Sequence, residues 1–263
     1  MAAVMQVTGL RCGYRGTPVI RDVSFTVGGG DFLGIIGPNG AGKTTLFRAM
    51  TNILAPDSGG VRLNGTPIAA LGARALAKQV AVLPQSVETA FSFTVGEFVR
   101  LGRFPHGGRF GNPGARDERV VDEALDMTDV AGLRDNIIGE LSGGERQRAL
   151  VAQAVVQEPE LFLLDEPTAH LDIGHATAVM DLLARLNRER GVTVCVVLHD
   201  LNQASEYCER LILLSEGRIH TEGAPKEVLT YQHIEDVYKT VVVVNDNPIS
   251  KRPHVLTVRQ DAR

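Results

Sequence analysis

Long apolar runs are missing from this chain of 263 residues, and no stretch approaches the roughly 20 residues needed to cross a bilayer. The start, Met1-Ala2-Ala3-Val4-Met5-Gln6, has neither a basic region nor a long apolar segment, so no secretory signal is expected. Cysteine is scarce. Cys12, Cys195 and Cys208 are scattered, and Cys195 falls inside an apolar run, which fits a reducing compartment and no metal site. The chain also lacks a basic excess: 27 Lys and Arg against 31 Asp and Glu leave a formal net charge of −4, which argues against nucleic acid as a partner. His106, His170, His175, His220, His233 and His254 show no ligand spacing and read as surface or packing residues. There are no long internal repeats and no low-complexity segments. What is present, 44% hydrophobic residues, can bury one substantial core or a core with a small subdomain.

Gly37-Pro38-Asn39-Gly40-Ala41-Gly42-Lys43-Thr44 matches the G-x-x-x-x-G-K-[ST] phosphate loop. The apolar run Phe32-Leu33-Gly34-Ile35-Ile36 precedes it as a buried strand, and helix formers follow from Thr45. In that context successive backbone N–H groups converge on a phosphate, and the helix start adds its partial positive charge. Lys43 would reach the β and γ phosphates, and the Thr44 hydroxyl would ligate Mg²⁺. Leu161-Phe162-Leu163-Leu164 reads as a second buried strand, ending on Asp165-Glu166. Asp165 suits the metal, and Glu166 could polarise a water for attack on the γ-phosphate. Seen alone, two such acids could equally form a solvated turn.

A second glycine-rich turn, Leu141-Ser142-Gly143-Gly144-Glu145-Arg146-Gln147-Arg148, leads into a helix. It reads as a capping box, with Ser142 as N-cap and Glu145 at the third helical position. It also reads as an anion site, because glycines precede a helix N-terminus. Both can hold.

This second turn resembles the signature of ATP-binding cassette ATPases, with Glu145 where glutamine is usual. The resemblance runs over nearly the whole chain. It implies that Tyr14 stacks on adenine and that Gln85, in Val82-Leu83-Pro84-Gln85, contacts Mg²⁺ or the attacking water. It implies that Ala169-His170-Leu171-Asp172 is the loop passing between two subunits, with Asp172 at the nucleotide, and that His199 is the switch histidine. Thr45, Ser142, Gly143, Gly144 and Glu145 join residues 37–44 as nucleotide contacts. Catalysis is assigned to Glu166, His199, Gln85 and Lys43, and Mg²⁺ to Thr44, Gln85 and Asp165. The implied cofactors are ATP and Mg²⁺. In the resemblance, Ser142-Gly143-Gly144 of one copy caps the γ-phosphate held by Lys43 of a second copy.

The implied fold is α/β: a P-loop NTPase core with a mainly parallel sheet, an antiparallel β layer and an inserted helical subdomain. Residues 1–239 form one cassette, with the helical subdomain at about 86–154, and residues 240–263 form a short C-terminal β extension. Residues 4–36 read as short alternating strands. Val179, Leu182, Leu183 and Leu186 recur at helical spacing in a helix closed by Gly191. Without a membrane span, the chain needs integral-membrane permease subunits, docked at Gln85 and residues 86–116, on the cytoplasmic face of the cell membrane.

The stretches around Leu101 to His106, Thr168 to Ile173, Val197 to Ala204 and Asn247 to Val255 resemble importers of iron–siderophore chelates, haem and cobalamin. Such systems also imply, indirectly, an extracytoplasmic substrate-binding protein, and no nucleic acid. The alternatives are an ATPase subunit for another transported substrate and, further off, a cassette ATPase outside transport. No residue of this chain names the cargo.

Overall fold

The computed structural model describes residues 3–85, 92–107 and 114–259. The chain divides into two compact units, Met1–Ala70 with Thr193–Arg263, and Leu71–Val192.

In the first unit, strand Ala3–Tyr14 pairs antiparallel with Thr17–Gly28 on one side and Ser58–Leu63 on the other. Burial alternates along both long strands, placing Met5, Val7, Leu10, Ile20, Val23, Phe25 and Val27 on the core face. Arg15 and Gly16, both at positive φ (51° and 80°), make the tight turn between them. These strands are longer than the short ones the sequence suggests. Register shifts near Gly9 and Gly13 absorb the breaks in alternation and let the strands continue.

Phe32–Ile36, buried at every position, lies parallel between Thr193–Val197 and Arg210–Ser215. Continuous apolar strands of this kind are buried on both faces. Arg210–Ser215 turns back into Arg218–Gly223, and the turn residue Gly217 donates its N–H to Ala41 O (3.0 Å) and accepts from Arg21 N (2.9 Å). That turn therefore holds the loop after Phe32–Ile36 from behind.

The end of the unit is a helix, Tyr231–Tyr238, and an antiparallel hairpin, Val242–Asp246 with Pro253–Thr257. Helix Leu201–Tyr207 clamps the hairpin. Asn202 exchanges two hydrogen bonds with the Val255 backbone (2.7 and 3.1 Å), Ser205 Oγ donates to Pro253 O (2.6 Å), and Arg252 donates to Ser205 O and Cys208 O.

The second unit pairs strands Val80–Leu83 and Leu161–Asp165 in parallel. It also holds helices Val95–Leu101, Ala115–Met127, Gly143–Val155 and Ile173–Arg190. Val179, Leu182, Leu183 and Leu186 form the buried face of the last, and Gly191, left-handed at φ 66°, caps its end. Arg103 organises the helical part. Its guanidinium, 6% exposed, bonds Val156 O at the end of helix Gly143–Val155, Glu158 in the following turn, and Asp117 at the start of Ala115–Met127. His106 adds a 2.8 Å hydrogen bond to Gln157 O at the same corner.

Candidate active site: a phosphate loop and a glycine-capped helix start

In the first unit the segment after Phe32–Ile36 turns through glycines at positive φ, Gly37 (153°), Gly40 (81°) and Gly42 (104°), before helix Lys43–Met50 begins. A β-carbon on Gly37 would lie 2.2 Å from Leu214 O, so the loop tolerates only glycine there. Gly42 is the helix N-cap and offers no side chain to the first amides. The helix start is thus left without a side-chain cap, as anion binding requires. Pro38 is half-buried, Asn39 and Gly40 are exposed, and Ala41 is buried.

Lys43 lies folded over this loop. Its side chain is 6% exposed, and Nζ donates to Gly37 O (2.7 Å) and Pro38 O (3.1 Å). A buried ammonium held by two carbonyls of the loop is placed to transfer to phosphate oxygens. Thr44 is exposed and Thr45 buried. Tyr14 ends the first strand, 41% exposed as a residue, with its hydroxyl accepting from Arg48 Nη1 (3.1 Å). His199 follows strand Thr193–Val197 and is exposed; the neighbouring Asp200 caps helix Leu201–Tyr207 through the amides of Asn202 and Gln203.

One residue at this loop carries no sequence motif. Tyr238, the last residue of helix Tyr231–Tyr238, buries its hydroxyl oxygen. Burial pushes that hydroxyl up to about 12, an effect the nearby Gly37 amide opposes. The C-terminal helix thus reaches the base of the phosphate loop.

In the second unit strand Leu161–Asp165 delivers its acids at its C-terminal end. Asp165 is buried at 5% exposure and Glu166 half-buried. Glu166 adopts a left-handed backbone (φ 54°), a conformation that costs a non-glycine residue on the order of 1 kcal/mol and clusters at functional sites. Gln85 Nε2 donates to Glu166 Oε2 at 2.6 Å, so two residues far apart in sequence meet at one carboxylate.

The glycine-rich turn is a helix start with a complete capping box. Ser142 Oγ accepts from Glu145 N (3.4 Å), while Glu145 Oε2 accepts from Ser142 N (3.0 Å) and Ser142 Oγ (2.6 Å). The bonds from the Ser142 hydroxyl and amide hold the Glu145 carboxyl below the usual range. Glu145 is thus the charged half of the cap. Asp172 caps the next long helix by accepting from His175 N (2.9 Å). His170, at φ 64°, shapes the loop before it.

In the second unit Gln85 and Asp165 carry oxygen donors of the kind a hard divalent cation takes, and in the first unit Thr44 carries an exposed hydroxyl. Mg²⁺ is commonly held by one or two carboxylates with phosphate oxygens and water, not by an all-protein cage. No group of three or more His, Cys, Asp or Glu able to hold a metal ion occurs among the described residues. Nor, among them, is any helix long and apolar enough to cross a membrane.

A phosphate loop backed by a buried lysine, a strand ending in two acids and a glycine-started helix together define a nucleoside-triphosphate hydrolase of the cassette type. The ABC transporter family model matches residues 20–169. The chain belongs to the ABC transporter family, as an ATP-binding, ATP-hydrolysing cassette. It is 40% identical over 253 residues to the ferric enterobactin transport ATP-binding protein FepC of Escherichia coli (strain K12), covering 96% of this chain and 93% of the relative. It is 42% identical over 252 residues to the hemin import ATP-binding protein HmuV of Streptomyces coelicolor, covering 95% and 85%. Among solved structures it resembles a chain of a metal-chelate type ABC transporter in an inward-facing conformation, with TM-score 0.86, 26% identity and 99% of both chains covered.

Proposed function

We propose that this chain is the ATP-hydrolysing subunit of an importer that takes up a metal chelate: an iron–siderophore complex, haem or cobalamin. Two copies act with integral-membrane permease subunits at the cytoplasmic face of the cell membrane, and indirectly with an extracytoplasmic binding protein. The similarity to ferric enterobactin and hemin systems over almost the whole chain supports the cargo class.

The observation that carries the chemistry is the Gln85–Glu166 hydrogen bond at the end of the strand whose last residue is the buried Asp165. Lys43 and the backbone of residues 37–45, through N–H groups other than at Pro38, bind the β and γ phosphates, and Tyr14 stacks on adenine. Thr44, Gln85 and Asp165 would hold Mg²⁺, which when bound neutralises phosphate charge. Glu166 takes the proton of the attacking water, and Gln85 orients that carboxylate. His199 donates to the γ-phosphate. Ser142, Gly143, Gly144 and Glu145, with Asp172, present a second anion-binding face to the nucleotide of the other copy. ATP then holds two copies together, and hydrolysis releases them. Residues 1–239 are the cassette, with a helical subdomain at about 86–154, and residues 240–263 are its C-terminal extension. Within the permease-docking stretch at residues 86–116, residues 86–91 and 108–113 lie outside the described residues.

Glu166→Gln tests the assignment. Turnover should fall about 10²- to 10⁴-fold, the usual worth of a general base, while binding of a fluorescent ATP analogue persists. Near-normal turnover would reject Glu166 as the base. For the cargo, ATP hydrolysis by the purified permease complex should rise with a chelate-loaded binding protein and not with the unloaded one.

A further inference from the structure

His175 carries no motif, yet it lies on the signature glycines. A β-carbon placed on Gly144 would sit 2.0 Å from His175 Cδ2, 2.5 Å from Cγ and 2.9 Å from Nε2. The imidazole therefore occupies the space above Gly144, and that glycine is buried. The ring is fixed from the other side by one carboxylate. Asp172 accepts from the His175 amide through Oδ1 (2.9 Å) and from ring Nδ1 through Oδ2 (2.7 Å). That pairing sets the tautomer, with the proton on Nδ1. Beside it, a β-carbon on Gly143 would meet Leu171 Cδ2 at 3.3 Å. The turn at residues 142–145 and the loop at residues 169–172 are thus joined through Leu171 and His175, and each glycine is small partly to admit the other loop.

We infer that His175 is a positioning residue that locks the signature turn to the Asp172 loop, so that a second copy's nucleotide meets one rigid element. The inference rests on the reading of Ser142–Glu145 as a nucleotide-facing turn. It adds a residue to that reading and makes a distinction the capping box alone does not. Removing the imidazole bond should leave the chain's own phosphate loop untouched and degrade only the step that needs the turn in place.

The test compares His175→Leu, which fills space without a donor, with His175→Asn, whose amide nitrogen reproduces the position of Nδ1, in the full-length chain. With His175→Leu, affinity for a fluorescent ATP analogue should stay within about twofold while kcat falls about tenfold or more, as expected when a group assembled for the transition state is displaced. With His175→Asn, kcat should return to within about threefold of the parent. An unchanged kcat in the leucine variant would overturn the inference, as would a parallel loss of nucleotide affinity or no recovery with asparagine. Should the leucine variant fail to fold, His175→Gln, which lacks the donor at that position, replaces it with the same expected contrast. Ser142→Arg separates the two levels, because it obstructs the turn itself. If its kcat equals the parent's, the reading of the turn as nucleotide-facing fails; if its kcat falls while His175→Leu behaves as the parent, only the positioning role falls.

Discussion

Replacing Arg103 by methionine isolates the charge at the corner of the helical region while keeping much of the side chain's volume. Three hydrogen bonds disappear, to Val156 O (2.7 Å), Glu158 Oε2 (2.7 Å) and Asp117 Oδ1 (2.9 Å). They are not equal. Asp117 is 20% and Glu158 41% exposed, so water can resolvate both carboxylates, and these pairs count at a discount. The contact with Val156 O is buried, and an abandoned buried carbonyl costs about 1–3 kcal/mol. With a remainder for the two screened pairs, the loss is about 2–4 kcal/mol, or roughly 4–16 °C in the melting transition of a chain this size.

The loss should depend on pH. The Gly114 amide and then the Arg103 guanidinium hold the Asp117 carboxyl low; at Glu158 burial pulls upward but is outweighed by Arg103 acting with Arg116 and His106. Depressed carboxylates contribute stability above their unfolded range and lose it as pH falls through their folded values. The gap between parent and variant should therefore be full at pH 7 and narrow below roughly pH 4. Thermal melts followed by far-UV circular dichroism at both pH values measure it. A shift under about 2 °C at pH 7 would refute the view that this guanidinium holds the corner together.

Three further outcomes are expected. Burial pushes the Cys195 thiol up to about 12, and raises Cys12 and Cys208 as well, so a thiol reagent at pH 8 should find no fast-reacting cysteine in the folded chain and three after denaturation. Any rapid native reaction would contradict the burial of all three. Tyr14→Ala should weaken ATP binding by about 2- to 12-fold through loss of a stacking surface, with Tyr14→Phe near the parent; equal binding by both would remove the adenine role. Tyr238→Phe should weaken ATP binding by about 2- to 10-fold, the worth of one hydroxyl contact near the loop, and unaltered affinity would show that the C-terminal helix is indifferent to the nucleotide.

The phosphate loop is legible in sequence because everything it needs is local: a buried run, glycines that can take positive φ, and a lysine at the helix start. The capping box at Ser142 and Glu145 is local for the same reason. The Asp172 cap escaped, although its three-residue spacing to His175 is equally local, because a lone histidine near a helix start has many unremarkable explanations. What could not be read is contact between distant segments. Gln85 meets Glu166 across 81 positions and Arg103 meets Val156 across 53, and no propensity or period encodes either pairing. The left-handed backbone of Glu166 is equally illegible, since no local propensity marks a glutamate for positive φ. The stretch from Leu101 to His106, recognisable only by resemblance, has a physical role in Arg103 and His106 that hydrogen bonding alone reveals.

The cap at Ser142 has a further meaning for the helix it begins. Glu145 sets a full negative charge over the positive end of helix Gly143–Val155 and engages the only hydroxyl of the turn. The turn therefore carries a resident anion of its own. On the proposed reading, a phosphate reaching this turn would not meet a vacant positive surface; it would compete with a carboxylate for the same proton and the same dipole. Occupancy of this face would then be an exchange of one anion for another, with the Glu145 carboxylate as the one displaced.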